Sequence, residues 1–328
     1  MLSFAVLGAG RWGGTLAWLT SHEIGVPVRL YDRTEVLRYI RCTRRQGDSD
    51  LSGLMVLLSD KLGWVLECDV VFVVINATHL GDLIADIKAQ RINMAGKLVV
   101  LCMKGMSPEG LFMPEQWAAA FPESQVAVMG GPCQPAQLFA GKSTTMCIAT
   151  NKGYSRMISA DDICQTMNNR LINYEPTESI MGAAICGVMK NVLAFVGGML
   201  DAYGWSHKKP LLELIFREEA SRLIKAFDED CDIVDGPLFS GDNKVTLYYP
   251  GSKNIISGRT LIEQGFLTPC EAVDSAMPLA IRISQLGFPM GMCGWTATMI
   301  ARAPQCRTPT KAALRSRLRY YQKQYQIE

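Results

Sequence analysis

Histidine is scarce in this chain, with only His22, His79 and His207 among 328 residues. None stands in a recognisable acid/base pairing, so a proton-transfer task, if there is one, falls to another residue type. Charge of one sign is also missing. The 33 Lys and Arg nearly balance the 31 Asp and Glu, for a net +2, and nothing steers the chain toward nucleic acid. Basic residues cluster only at Arg41 to Arg45 and in the tail Arg315 to Tyr325, which reads as a solvated final helix. The eleven cysteines include no Cys-x-x-Cys pair and no His/Cys ligand spacing, so no zinc or other metal site is expected. There is no internal repeat and no low-complexity linker. An apolar run begins almost at the first residue, which leaves no room for a signal peptide, and reduced thiols in a cytoplasmic setting are expected. Long apolar runs are few. Ile180 to Leu200 has the length of a membrane span, but it carries Lys190 and Asn191 at its centre. A charge there would cost about 2.5–3.5 kcal/mol in a bilayer. A buried helix of a soluble domain is the better reading, and no membrane span is expected.

What is present begins at the N-terminus. Phe4 to Leu7 is one short apolar strand, and Gly8, Gly10 and Gly13 follow it before a helical pattern over Thr15 to Thr20. This is dinucleotide-fingerprint spacing. The first glycine permits the turn, the second lets backbone approach a pyrophosphate, and the third allows close helix–strand packing. The helix N-terminus offers free N–H groups to the phosphates. Val26 to Tyr31 reads as the next strand and ends at Asp32-Arg33. Asp32 suits the 2′-hydroxyl of NAD, and Arg33 equally suits the 2′-phosphate of NADP. Asp69 to Ile75, Leu98 to Met103, Val126 to Met129, Thr144 to Ala149 and Leu171 to Tyr174 are further strands, alternating with helical stretches. Such alternation specifies an α/β fold with a doubly wound, Rossmann-type parallel sheet. From Ile180 helical periodicity dominates. A dinucleotide-binding domain over 1–177 is therefore expected to precede an all-α substrate and catalytic domain over 178–328.

That order suggests a dehydrogenase whose substrate lies between the two domains. Lys190 is the leading acid/base candidate. An ordinary lysine titrates near 10.4, too high for efficient proton exchange at neutral pH. Burial among apolar neighbours, or a second cation nearby, lowers that value. Ile185 to Leu193 supplies the burial, and Lys104, after a strand, could supply the cation. Asp242, in the glycine-rich turn Ser240-Gly241-Asp242, could pair with Lys190. The loop Gly251-Ser252-Lys253-Asn254 combines a hydroxyl, a cation and an amide, which suits a phosphate or carboxylate.

Taken together these segments resemble the NAD(P)-dependent glycerol-3-phosphate dehydrogenases. Gly8-Ala-Gly-Arg-Trp-Gly13 looks like that family's opening Gly-x-Gly-x-Trp-Gly, and Met103-Lys104-Gly105 is similar to its Thr-Lys-Gly. Gly131-Pro132-Cys133 is similar to its Gly-Pro-Ser. Gly187-Val-Met-Lys190-Asn191 looks like its Lys-Asn helix, and Gly241-Asp242 with Thr246, Ser252, Lys253 and Asn254 like its substrate segment. The resemblance implies reversible hydride transfer between NAD or NADP and the central carbon of glycerol 3-phosphate, giving dihydroxyacetone phosphate. Lys190 would be the proton acceptor, with Asp242 and Asn191 holding it. Lys104, Gly131, Thr246, Ser252, Lys253 and Asn254 would hold the small phosphorylated substrate. Gly8, Gly10, Arg11, Trp12, Gly13, Asp32, Arg33, Lys104 and Arg217 would contact the cofactor, in what is expected to be a homodimer. The chain departs from the family at Lys208 to Leu214, where an Asp-Asn-x-Lys run is replaced, and at Lys253, which stands in place of an arginine. Two alternatives stay open: a reductase of another small anionic 2-oxo compound, and a cofactor-binding regulatory protein without turnover.

Overall fold

A computed structural model describes residues 2–150, 158–227, 232–288, 291–302 and 311–327. The chain divides into two compact units, Met1–Met103 with Met113–Ile180, and Lys104–Phe112 with Met181–Glu328.

In the first unit the strands are β1 (Phe4–Leu7), β2 (Val28–Tyr31), β3 (Arg45–Gln46), β4 (Ser49–Asp50), β5 (Val56–Ser59), β6 (Val70–Val73), β7 (Leu98–Leu101), β8 (Gln125–Gly130), β9 (Thr144–Thr150) and β10 (Ile172–Thr177). Its helices are α1 (Arg11–Trp18), α2 (Thr34–Thr43), α3 (Leu62–Val65), α4 (Leu80–Ala89), α5 (Met113–Ala120), α6 (Pro135–Phe139) and α7 (Ala160–Met167). One sheet carries eight strands in the order β10-β9-β8-β7-β6-β1-β2-β5. The strands from β8 to β5 run parallel, whereas β9 pairs antiparallel with β8 and parallel with β10. β1, β6, β7 and β8 are buried along their whole length, as parallel strands covered by helices on both faces must be. This is the expected doubly wound plan with two strands of reversed direction added at one edge. The order of succession reverses between β1 and β6, the topological switch point at which such sheets bind ligands.

In the second unit, α8 (Ile180–Ala202) is followed by α9 (Lys209–Lys225), α10 (Asp242–Leu247), α11 (Lys253–Gln264), α12 (Glu271–Gln285), α13 (Met292–Arg302) and α14 (Lys311–Gln324). The apolar run expected to be a core helix is α8, and 94% of its most apolar window is buried. Protein neighbours cover all its faces, which accounts for its hydrophobicity. Two glycines allow α11 to pack tightly against it. A Cβ at Gly198 would collide with the backbone carbonyl of Ile255, and one at Gly258 with the carbonyl of Phe195. Lys209, within the run that departs from the family, does structural work here. Its buried ammonium donates to Asp201 at 2.8 Å and to the Leu247 carbonyl at 3.0 Å, tying α9 to the end of α8 and of α10.

The α8–α11 crossing has a direct test. Gly258→Ala is expected to destabilise the protein by about 1–3 kcal/mol, because backbone rather than a flexible side chain must move. A lowered thermal midpoint checks this, and an unchanged midpoint would contradict the close crossing.

Candidate active site

The glycine turn lies at the switch point. Gly8 follows β1 with φ +102°, a conformation that favours glycine, and a Cβ there would collide with the Val74 carbonyl just beyond β6. A Cβ at Gly13 would collide with the Gly8 carbonyl, so α1 can start only one turn from the strand end because both positions are bare. A Cβ at Gly10 would meet nothing within 4 Å. Gly10 also precedes α1 without a side-chain cap, so no capping side chain competes for the first N–H groups of the helix. A bare turn leading into uncapped helical N–H groups is what a pyrophosphate requires, so these residues fit a dinucleotide.

Around this turn Asp32, immediately after β2, accepts the Ala9 N–H at 2.6 Å and the Arg33 N–H at 2.7 Å. Arg11, exposed at the start of α1, pairs with Asp48 at 2.7 Å. Trp12 is half-buried against the core. Asp48 belongs to the β3–β4 hairpin, which was not anticipated from sequence. The hairpin lies on α1 through Gln46, which donates to the Ala9 carbonyl, and through a 3.3 Å contact between the hydroxyls of Ser49 and Thr15. Gly131 follows β8 with φ +127°, and a Cβ there would come within 3.0 Å of the Met146 Cα.

The second unit holds the titratable cluster. Lys190, on the buried face of α8, and Lys104 both reach the same oxygen of Asp242, Oδ2, at 2.6 and 2.7 Å. Gly187 lies one turn before Lys190, and the Lys104 stem runs close past it, 3.2 Å from where a Cβ would be. Asp242 is the first residue of α10, directly after the turn Pro237–Gly241, and not part of the turn itself as its glycine-rich flank suggested. Helical spacing then sets Thr246 on the same face as Asp242, four residues on, and Lys190 Nζ donates to the Thr246 hydroxyl at 3.2 Å.

Two ammonium groups cannot be satisfied equally by one carboxylate. The side chain of Lys190 is 6% exposed and that of Lys104 is 27% exposed. Burial is the largest influence on Lys190, opposed by Asp242 and reinforced by the Lys104 charge, and the balance lowers its pKa to about 7. Burial also works against the Lys104 cation, but Asp242 outweighs it and raises that pKa above the ordinary value. Desolvation pushes Asp242 the other way, yet the two lysines win and hold its carboxyl below the usual range.

Beside this cluster lies a second, amide-based one. Asn191 does not join Asp242 in holding Lys190. Its Oδ1 instead accepts from Asn254 Nδ2 at 3.1 Å, and its own Nδ2 is buried without a partner. Asn254 Oδ1 accepts the Ala272 N–H, and its Nδ2 also lies 3.3 Å from Glu271. Ser252 and Lys253 start α11 rather than lying in a loop, with Lys253 exposed. Arg217 on α9 forms an ion pair with Asp235. Glu271 was not picked out from sequence as a contact. Its place in the first turn of α12, where an acid suits the helix dipole, is the only local signal it leaves.

Comparison with known proteins finds one family over both parts of the chain. Residues 3–155 match the N-terminal domain of NAD-dependent glycerol-3-phosphate dehydrogenase, and residues 179–278 match its C-terminal domain. A glycerol-3-phosphate dehydrogenase [NAD(P)+] of Chelativorans sp. is 30% identical over 267 residues, 79% of each chain. The chain belongs to the NAD-dependent glycerol-3-phosphate dehydrogenase family. The corresponding protein of Caulobacter vibrioides is 27% identical over 318 residues, 90% of this chain and 92% of that one. The crystal structure of a glycerol-3-phosphate dehydrogenase from Coxiella burnetii superimposes with a TM-score of 0.79 at 17% identity, covering 100% of this chain and 99% of that one. The family relationship therefore extends through the segments that carry Lys104, Lys190, Asp242 and Asn254.

The shared carboxylate makes a prediction about Lys104. In Lys104→Met the like charge beside Lys190 is gone and Asp242 serves one lysine, so the Lys190 pKa rises from about 7 toward the ordinary 10.4. The pH dependence of Lys190 acetylation by an amine-reactive reagent, followed by mass spectrometry, reads that shift. An unchanged midpoint would contradict the charge coupling.

Proposed function

We propose that the chain interconverts glycerol 3-phosphate and dihydroxyacetone phosphate, with Lys190 as the group that moves the proton. Membership of its family makes it an NAD(P)-dependent dehydrogenase. The observation that carries the residue assignment is a lysine, buried within the second unit, whose pKa is brought to about 7 by burial and by a neighbouring cation. A group with a pKa near the working pH exchanges protons efficiently in either direction.

The nicotinamide, when bound to the first unit, supplies the acceptor or donor of a hydride. In oxidation the neutral amine of Lys190 takes the proton from the C2 hydroxyl as that carbon loses its hydride, and the carbonyl forms. In reduction the ammonium of Lys190 returns the proton to the oxygen. Asp242 holds the Lys190 amine at 2.6 Å, and Thr246 fixes it from a second direction. Both residues are positioning groups toward Lys190. Lys104 keeps its charge, which suits attraction of a phosphorylated substrate, and Lys253, Ser252 and Asn254 of the same unit are assigned to holding the phosphate. Asn191 offers its unpartnered buried N–H to the substrate. The chain is further proposed to act as a homodimer. Light scattering that returned the mass of one chain would rule this out.

The pH profile follows from the direction of the shift. Oxidation needs neutral Lys190, so its rate rises with pH through about 7, whereas reduction needs the ammonium and declines above about 7. Lys190→Ala is expected to lower turnover by about 10²–10⁴-fold while the NAD(P)H dissociation constant stays within twofold. Steady-state rates with dihydroxyacetone phosphate and NADH or NADPH test both statements. Turnover of a different 2-oxo compound with none of dihydroxyacetone phosphate would overturn the substrate, and full activity in Lys190→Ala would overturn the mechanism.

A further inference from the structure

We propose that α14 docks this protein on an anionic phospholipid surface through a stripe of unneutralised cations, Lys311, Arg315, Arg319 and Lys323, extended at one end by Lys208. The proposal concerns the second unit alone and does not depend on the reaction.

The even charge balance of the whole chain hides a local excess. From Ser275 to Ile327 there is no Asp or Glu, and eight Lys and Arg fall in that stretch. Five of them lie on α14, and four of these follow one another at i,i+4. That spacing sets Lys311, Arg315, Arg319 and Lys323 along one side of the helix over about 18 Å of its axis. All four are exposed. Like charges at this spacing weaken a helix, and Lys311 in the first turn also meets the positive end of the helix dipole. Among the described residues, none of the four forms an ion pair that would offset these costs.

The stripe is gathered at one end and pinned at the other. Trp205, only 7% exposed, draws in Lys208 and Lys311 at 5.0 Å and Arg315 at 4.9 Å from its ring centre. An indole face stabilises a cation without cancelling its charge. Asp201, in the same stretch of chain, is committed to Lys209 and Ser206. Lys208 opens the run that departs from the family. The apolar side of α14, Leu314, Leu318 and Tyr321, is buried. Just beyond its end the Tyr325 hydroxyl donates to buried Glu219 at 3.2 Å, and the Arg222 guanidinium stacks on the same ring at 4.5 Å.

This layout selects the occupant. Cations strung over such a length cannot converge on one small anion, so the partner is extended. A second copy docked by two-fold symmetry would bring cation against cation. Nucleic acid held without sequence preference needs aromatic faces on which bases stack. Here Trp205 is buried, and Tyr320, the exposed aromatic of this helix, packs edge-on against Tyr321 at 5.1 Å. A leaflet of anionic headgroups asks only for a row of cations on a firmly held element. Because the apolar side of α14 is used in the fold, attachment is by charge and without insertion.

Co-sedimentation of the full chain with vesicles tests this directly. Binding is expected to phosphatidylcholine vesicles containing one third phosphatidylglycerol at low salt, and none to pure phosphatidylcholine. Each Lys or Arg near such a surface contributes about fivefold, so Arg319→Gln with Lys323→Gln is expected to weaken binding at least tenfold. Turnover and thermal midpoint of that double variant are expected to stay unchanged, since it relieves like-charge pairs outside the catalytic cluster. Arg38→Gln with Arg41→Gln removes the same charge from exposed positions of the first unit and is expected to alter binding less than twofold. Equal losses in the two double variants would mean that net charge alone acts, and would overturn the stripe. Binding to neutral vesicles, or binding that survives about 0.5 M salt, would overturn docking by charge. Absence of binding to the anionic vesicles would overturn the proposal, as would retention of a mixed-sequence oligonucleotide in their place.

Discussion

One oxygen of one carboxylate organises the second unit. Asp242 Oδ2 lies 2.6 Å from Lys190 and 2.7 Å from Lys104, and a single negative charge cannot neutralise two buried or half-buried cations. The system resolves this by asymmetry. The more exposed lysine keeps its proton and the deeper one gives up its ordinary pKa. Burial and the Lys104 charge lower the Lys190 pKa while Asp242 opposes them, so without Lys104 the lysine would be held more firmly charged.

Much of the packing in this unit serves that arrangement. Gly187 leaves room on α8 for the stem of Lys104, and Gly198 and Gly258 let α8 and α11 approach at backbone distance. That approach brings Asn254 to Asn191 and, from there, to Glu271 and the start of α12. Lys209, which breaks the family pattern at this point, ties α8, α9 and the end of α10 together through Asp201 and the Leu247 carbonyl. The departure from the family run therefore falls on a residue with a packing role, while the acid/base cluster itself is retained. The first unit is simpler: Gly8 and Gly13 are bare because the Val74 and Gly8 carbonyls take the space of a Cβ, whereas Gly10 faces open space.

The parts legible in the sequence were those set by local rules. The buried parallel strands read as continuous apolar runs, and the glycine triplet required its strand–turn–helix setting. The charge inside α8 demanded a partner before any partner was visible. Features set by tertiary contact were not legible. β5 is a half-exposed edge strand without clear alternation, and the β3–β4 hairpin consists of two-residue strands held by Gln46 and Ser49 against α1. The excursion of Lys104–Phe112 into the second unit has no compositional mark. Asp242 and Lys253 look like turn residues because glycine, serine and proline flank them, yet each begins a helix. The role of Asn191 also depended on a neighbour far along the chain, and its amide is turned to Asn254 rather than to Lys190.

The central claim is that Lys190 titrates near neutrality because burial and the Lys104 charge together outweigh its pairing with Asp242. The most direct measurement is an NMR titration of the Lys190 side-chain nitrogen in the unaltered protein, assigned by comparison with Lys190→Arg. The account predicts a midpoint at about 7. A Lys190 signal that stays protonated until pH exceeds about 10, the range of an ordinary lysine, would contradict it.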